Sequence, residues 1–243
     1  MNNNFTIFVF SILAGLSTIV GTLIVMRKKS LSPKTLVYFI SFSAGALLGL
    51  SFLHLIPEAL ELTENAVYGI LIAFFIFYFL EQRIMMHSCA EETCDHHHFE
   101  KAKGLMGMWG IFLHSLIDGA LIGIGFEANV TLGVVTALAV LIHKIPDGIS
   151  VTSIMLHNHF SRSETWRGAI LTAVATPIGA VLAFIALHGV SLEILGVALG
   201  FSAGTFLYIS ASDLIPETHK SFNFWNSFYV LLGLLVIFLL KSI

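Results

Sequence analysis

The sequence predicts an all-α integral membrane protein with eight transmembrane helices. Three observations predict it. First, 56% of the 243 residues are hydrophobic and only 11% are charged, whereas a soluble domain carries about 25% charge. With a mean hydropathy of +0.89, this chain lacks the polar surface that water requires. Second, apolar runs of about 20 residues, the length that crosses a bilayer as a helix, recur eight times. Third, the segments between the runs are short, so residues 1–243 read as a single transmembrane domain.

The spans lie at about 5–26, 35–57, 66–85, 104–126, 130–156, 168–188, 192–215 and 224–241. The first follows MNNNF, which has no basic segment, so no cleavable signal peptide is expected. The third carries Glu81 and Arg83 near its end, and both must snorkel. The fourth and fifth each hold a His and an Asp among apolar residues, and the fifth also holds Pro146. Two Cys exclude a disulfide framework. A net charge of −3 is too small to imply a nucleic-acid partner.

Basic residues set the orientation. With the N-terminus outside, the inner segments hold Arg27, Lys28, Lys29, Lys34, Arg83, Lys101, Lys103, Arg162, Arg167 and Lys220, ten of the 12 in the chain. Lys241 falls outside and Lys144 lies within the membrane. Both termini are therefore expected outside.

Two stretches repeat. FSAGALLGLSFLHLIPEA from Phe42 and FSAGTFLYISASDLIPET from Phe201 share FSAG, eight intervening residues, a polar residue (His54 or Asp213) and LIPE, at a constant offset of 159. The first copy is on helix two and the second on helix seven, which runs the opposite way. Opposed copies mark an inverted-topology repeat, a common architecture of secondary transporters. His54 and Glu58 are then expected near the outer mouth, and Asp213 and Glu217 near the inner mouth. The alternative is that Pro57 and Pro216 merely end their helices and each Glu is interfacial.

Helices four and five carry HSLIDG (114–119) and HKIPDG (143–148), both His-x-x-x-Asp-Gly. A spacing of four puts His and Asp on one helical face. If these two antiparallel helices face each other, His114, Asp118, His143 and Asp147 meet near the bilayer centre. Two imidazoles and two carboxylates suit a divalent metal, Zn²⁺ above all, with Fe²⁺, Mn²⁺, Co²⁺ and Cd²⁺ as further candidates. A charge at that depth costs at least about 2.5 kcal/mol, so two carboxylates without a function would be expensive. Pro146 displaces the carbonyl of Ile142. Irregular backbone at membrane depth is tolerated where it lines a cavity, and a kink used only for packing is the alternative.

On these motifs the chain resembles the ZIP (ZRT/IRT-like) family of divalent metal transporters along its whole length. The resemblance implies a bundle in which inverted three-helix repeats, helices 1–3 and 6–8, enclose helices 4 and 5. It also implies both ends outside and a His-bearing loop between spans three and four. The family's motifs read His-Asn-x-x-[Glu/Asp]-Gly and His-[Asn/Glu/Lys]-x-Pro-[Glu/Asp/His]-[Gly/Glu]. His114, Asp118, His143 and Asp147 match the positions that hold the transported metal. Many members hold a second metal, whose ligand positions are Ser115, Lys144 and Thr176 here. No anionic or amide ligand stands at any of the three, so one transport metal is expected. The Lys144 ammonium would neutralise Asp118 and Asp147 when that metal is absent; snorkelling or pairing elsewhere is the alternative.

The stretch HSCAEETCDHHHFE (87–100) belongs to an expected cytoplasmic loop at about 87–103. His87, Cys89, Cys94, His96, His97 and His98 can capture Zn²⁺ transiently, or the loop is a solvated linker. His157 and His159, in LHNHF at the inner end of helix five, are candidate acceptors for departing metal or interface residues. The expected function is transport of a divalent metal, zinc foremost, into the cytosol through a single midplane site, without enzymatic chemistry. An intramembrane zinc-dependent hydrolase and a metal sensor or channel with the same ligands are the alternatives. The expected partners are the metal ion and the lipid bilayer; a homodimer is left open. The expected location is the plasma (inner) membrane.

Overall fold

The computed structural model describes residues 3–27, 31–88, 96–128, 130–186, 191–220 and 223–241. Eight long helices account for nearly all of them: α1 (Asn3–Met26), α2 (Pro33–Leu62), α3 (Ala66–Ser88), α4 (His96–Ala128), α5 (Val130–His157), α6 (Arg162–Ala186), α7 (Leu192–His219) and α8 (Phe224–Lys241). Seven are long and apolar enough to cross a membrane, and α8 adds a shorter apolar stretch, Phe224–Leu240. There is no strand among the described residues. Large apolar side chains such as Phe75, Phe79, Leu182, Leu231 and Phe238 face outward. That surface suits lipid and not water.

One boundary differs from expectation. The segment expected as a loop to residue 103 is helical from His96 onward. The charged turn of α4 has partners in the bundle: Lys103 Nζ lies 2.7 Å from Glu81 on α3 and 2.7 Å from Asp213 on α7. His87 stands in the last turn of α3, and His96, His97 and His98 open α4. Cys89 and Cys94 lie outside the described residues.

Local signals explain the helix starts. Ser32 caps α2 by accepting from the Thr35 N–H at 3.1 Å, with Pro33 at the first helical position. Ser191 caps α7 by accepting from the Ile194 N–H at 3.3 Å. These two caps stand at the same offset of 159 as the FSAG and LIPE stretches. At α6, Ser161 and Glu164 form a capping box, each accepting from the other's backbone N–H.

The correspondence continues into an irregularity that the sequence did not announce. Helix α2 widens into a π turn over Ser51–Leu55, and α7 does the same over Ile209–Leu214. In each, an N–H bonds five residues back: Ile56 to the Ser51 carbonyl, and Ile215 to that of Ser210. The cause follows in the chain. Pro57 and Pro216 lack a donor and would collide with the carbonyls four residues earlier. A wider turn removes the collision and lets each helix run on. Pro146, by contrast, does not interrupt α5, which is helical on both sides of it.

Packing is pairwise. Helix α1 lies along α5 and α4 along α6; α2 lies along α8 and α3 along α7; α1 meets α6, and α4 meets α5. Exchanging 1 with 6, 2 with 7, 3 with 8 and 4 with 5 maps this set of neighbours onto itself. Glycines make the crossings close. A Cβ at Gly45 would sit 1.9 Å from the Val230 carbonyl oxygen, and one at Gly204 would sit 2.3 Å from that of Ile70. Lipid tails are as apolar as leucine, so helices in a bilayer gain from backbone-close van der Waals contact at small residues and not from expelling water.

Candidate metal centre

Helices α4 and α5 run antiparallel and bring the two His-x-x-x-Asp-Gly motifs together, well inside their apolar stretches 100–126 and 136–157. The glycine that ends each motif allows this. A Cβ at Gly119 would sit 2.0 Å from the Thr176 carbonyl oxygen on α6, and a Cβ at Gly148 would sit 2.0 Å from that of Thr18 on α1. Each site helix is thus seated against a neighbour by backbone contact one residue beyond its aspartate.

His114, Asp118, His143 and Asp147 each offer one ligand atom, and these atoms lie within 4.8 Å of one another. All four residues are buried. His114 Nε2 is 3.1 Å from Asp118 Oδ2 and 3.8 Å from Asp147 Oδ2. His143 Nε2 is 3.0 Å from Asp118 Oδ2. Two carboxylates and two imidazoles facing one point form the donor set that Zn²⁺ takes. His114 Nε2, His143 Nδ1 and Asp147 Oδ1 have no hydrogen-bond partner, leaving donor capacity that a metal can use.

Lys144 does not snorkel. It is 0% exposed, and its Nζ lies 2.8 Å from Asp118 Oδ2, 3.1 Å from Asp147 Oδ2 and 2.8 Å from Ser115 Oγ. An ammonium has three donors, and these three oxygens satisfy them. Thr176 is buried with its hydroxyl unpartnered, and its carbonyl backs Gly119.

Two cavities flank the cluster at opposite ends of α4 and α5. One, of about 210 Å³, is bordered by His54, Glu58, Asp118, Thr136 and His143. It therefore opens onto the cluster itself. The His54 ring lies 5.8 Å from the His143 ring, and His54 Nδ1 is 3.7 Å from Glu58. The other, of about 200 Å³, is bordered by Glu100, Lys103, His157, Asp213 and Glu217. Its charges are paired: Asp213 with Lys103, and Glu217 with Lys220 at 2.6 Å and with His157 at 3.4 Å. Glu81 also accepts from the Tyr208 hydroxyl.

A family model described as "ZIP Zinc transporter" matches residues 4–106 and 87–241. The chain belongs to the ZIP zinc transporter family. Among ZIP relatives, Zinc transporter ZIP13 of Pongo abelii is 25% identical over 91% of this chain and 72% of its own length. Zinc transporter YKE4 of Saccharomyces cerevisiae is 27% identical over 79% of this chain and 64% of its own length. Zinc transporter zipt-7.1 of Caenorhabditis briggsae is 33% identical over 50% of this chain, a stretch that spans only 31% of that protein. The ZIP family is one of transporters and not of enzymes, so the hydrolase alternative is set aside.

Residues beyond those read from the sequence also shape this candidate site. Ser202 Oγ lies 3.0 Å from His114 Nδ1, and the Phe206 ring packs on the His114 ring at 4.7 Å. Ser202 belongs to the repeated FSAG, so the repeat itself was the signal. Lys103 and Glu81 stood in the sequence as ordinary inner-face charges, and nothing local marked them as partners of Asp213.

Proposed function

We propose that the protein carries a divalent metal ion, zinc foremost, across the membrane into the cytosol through a single site between α4 and α5. The observation that carries this reading is the buried cluster of His114, Asp118, His143 and Asp147, flanked by one cavity with titratable side chains on its border toward each end of the helices. A channel or sensor needs no such closed ligand set between two separate cavities. His54 and Glu58 admit the ion, and His143 receives it. Asp213, Glu217 and His157 accept it at the far side, after Lys103 and Lys220 have given up the carboxylates. The positive-inside count supports a cytosolic position for that second cavity. Glu100 borders it and ends the His- and Cys-bearing stretch 87–100, which supports capture of emerging metal there.

The swap-symmetric helix neighbours and the constant offset of 159 support two inverted three-helix units, α1–α3 and α6–α8, around α4 and α5. Lys144 holds the place of a second ion: it supplies a positive charge between the two aspartates and saturates Ser115, so the transporter carries one metal. The test is uptake into proteoliposomes over Zn²⁺, Fe²⁺, Mn²⁺, Co²⁺ and Cd²⁺. Asp147→Ala and His143→Ala abolish uptake while membrane insertion is retained. Near-normal Zn²⁺ uptake by both variants rejects the site.

A further inference from the structure

The two histidines of the centre stand in different surroundings. Ser202 is buried and meets His114 at Nδ1. A metal takes the lone pair of the ring nitrogen that carries no proton. A metal on Nε2, the nitrogen that faces Asp118 and Asp147, leaves the proton on Nδ1. Ser202 Oγ, 3.0 Å away, stands where it can accept that Nδ1–H and hold the ring in place. Phe206, one helical turn after Ser202, packs against the same ring. His114 is 0% exposed.

The corresponding positions in the first copy, at the offset of 159, are Ser43 and Leu47. The Ser43 hydroxyl donates to the Phe39 carbonyl at 2.8 Å and holds no histidine. Leu47 offers no ring. His143 Nδ1 is accordingly buried without a partner, and its ring borders the cavity that His54 and Glu58 line.

We propose that Ser202 is a positioning residue that makes His114 the fixed ligand of the metal, whereas His143, held by no hydroxyl, is the ligand that exchanges metal with the His54 cavity. The inference rests on the metal site proposed above. Partners of a metal-bound imidazole's second nitrogen typically contribute 10–100-fold to affinity or activity. Ser202→Ala therefore raises the KM for Zn²⁺ uptake into proteoliposomes by about 10–100-fold. Ser202→Thr, which keeps the oxygen, restores it, and Ser43→Ala leaves KM at the native value.

Nitrogen NMR of histidine-labelled native protein loaded with Cd²⁺ reads the geometry without transport. The expected result is cadmium coupling at His114 Nε2 with a sharp signal, and a His143 signal broadened by exchange. Cadmium coupling at His114 Nδ1, a native KM in Ser202→Ala, or an equal rise in Ser43→Ala overturns the inference. Failure of the site reading looks different: His114→Ala and Asp118→Ala would then retain native KM, whatever Ser202 does.

Discussion

Replacing Lys144 by Met separates the stability of the empty centre from its affinity for metal. The side chain keeps its length and loses its charge. In the native protein the ammonium is fully enclosed and reaches Asp118 at 2.8 Å, Asp147 at 3.1 Å and Ser115 at 2.8 Å. Removing one partner of a buried charge pair costs about 3–5 kcal/mol, because the remaining charge is left uncompensated. At about 2–4 °C per kcal/mol for chains of this size, the metal-free variant should melt about 6–20 °C below the native protein. Metal reverses the comparison. A divalent ion restores the missing positive charge, and in the variant it no longer binds beside an ammonium. Two unit charges 4 Å apart interact by about 4 kcal/mol at an effective dielectric of 20. Saturating Zn²⁺ should therefore raise the melting temperature of Lys144→Met by more than it raises that of the native protein. Thermal unfolding of both proteins, with and without Zn²⁺, makes the measurement. Binding to the 87–100 stretch is common to the two and cancels in the difference. Equal stabilisation by Zn²⁺, or an empty variant as stable as the native protein, refutes the reasoning.

Gly119→Ala and Gly148→Ala each place a Cβ 2.0 Å from a backbone oxygen of a packed helix, an overpacking that costs about 1–3 kcal/mol. Both should insert, melt lower and show reduced Zn²⁺ uptake, because Asp118 and Asp147 move with the helix. Single cysteines at positions 54 and 213 should label with an impermeant thiol reagent from opposite faces of the membrane; labelling from one face rejects the proposed pathway. With residues 87–100 removed, elemental analysis should find one Zn²⁺ per chain in the native sequence. The triple change Ser115→Asn, Lys144→Asn and Thr176→Glu should bind two, and a native stoichiometry of two would show that Lys144 occupies no ion's place.

The helices and the meeting of His114, Asp118, His143 and Asp147 were legible because each rests on a local rule. Apolar runs of bilayer length give spans, and His and Asp four apart share one helical face. Ser32 and Ser191 set the starts of α2 and α7 by an equally local rule, one that spans drawn from hydropathy do not use. Less legible were effects of tertiary contact. The π turns before Pro57 and Pro216 are one resolution of a proline collision, a kink or a helix end being others, and the sequence does not choose among them. The early start of α4 depends on Glu81 and Asp213, which stand 22 residues before Lys103 and 110 after it. The Gly at the end of each His-x-x-x-Asp-Gly motif was visible, yet its contact with Thr18 or Thr176 requires knowing which helix lies behind it. Ser202 reads as an ordinary small residue until α7 is placed beside His114.

The π turns at Ser51–Leu55 and Ile209–Leu214 also make this fold sensitive to insertions and deletions in an unusual sense. A π turn is an α-helix carrying one residue more than its hydrogen-bond ladder needs. Deleting Phe52 lets the ladder of α2 close with ordinary bonds and leaves the residues beyond it in their places, because the wide turn had already absorbed the extra residue. Closing the ladder with every residue kept is the damaging change: each residue beyond the turn then rotates by about 100° about the helix axis and advances by about 1.5 Å, and His54 and Glu58 leave the cavity. The extra residue in each copy therefore works as a phase setting. It decides which side chains line the cavity, and a frame-preserving loss of a single codon between the wide turn and the cavity residues can erase that choice in a helix whose length and hydropathy stay nearly the same.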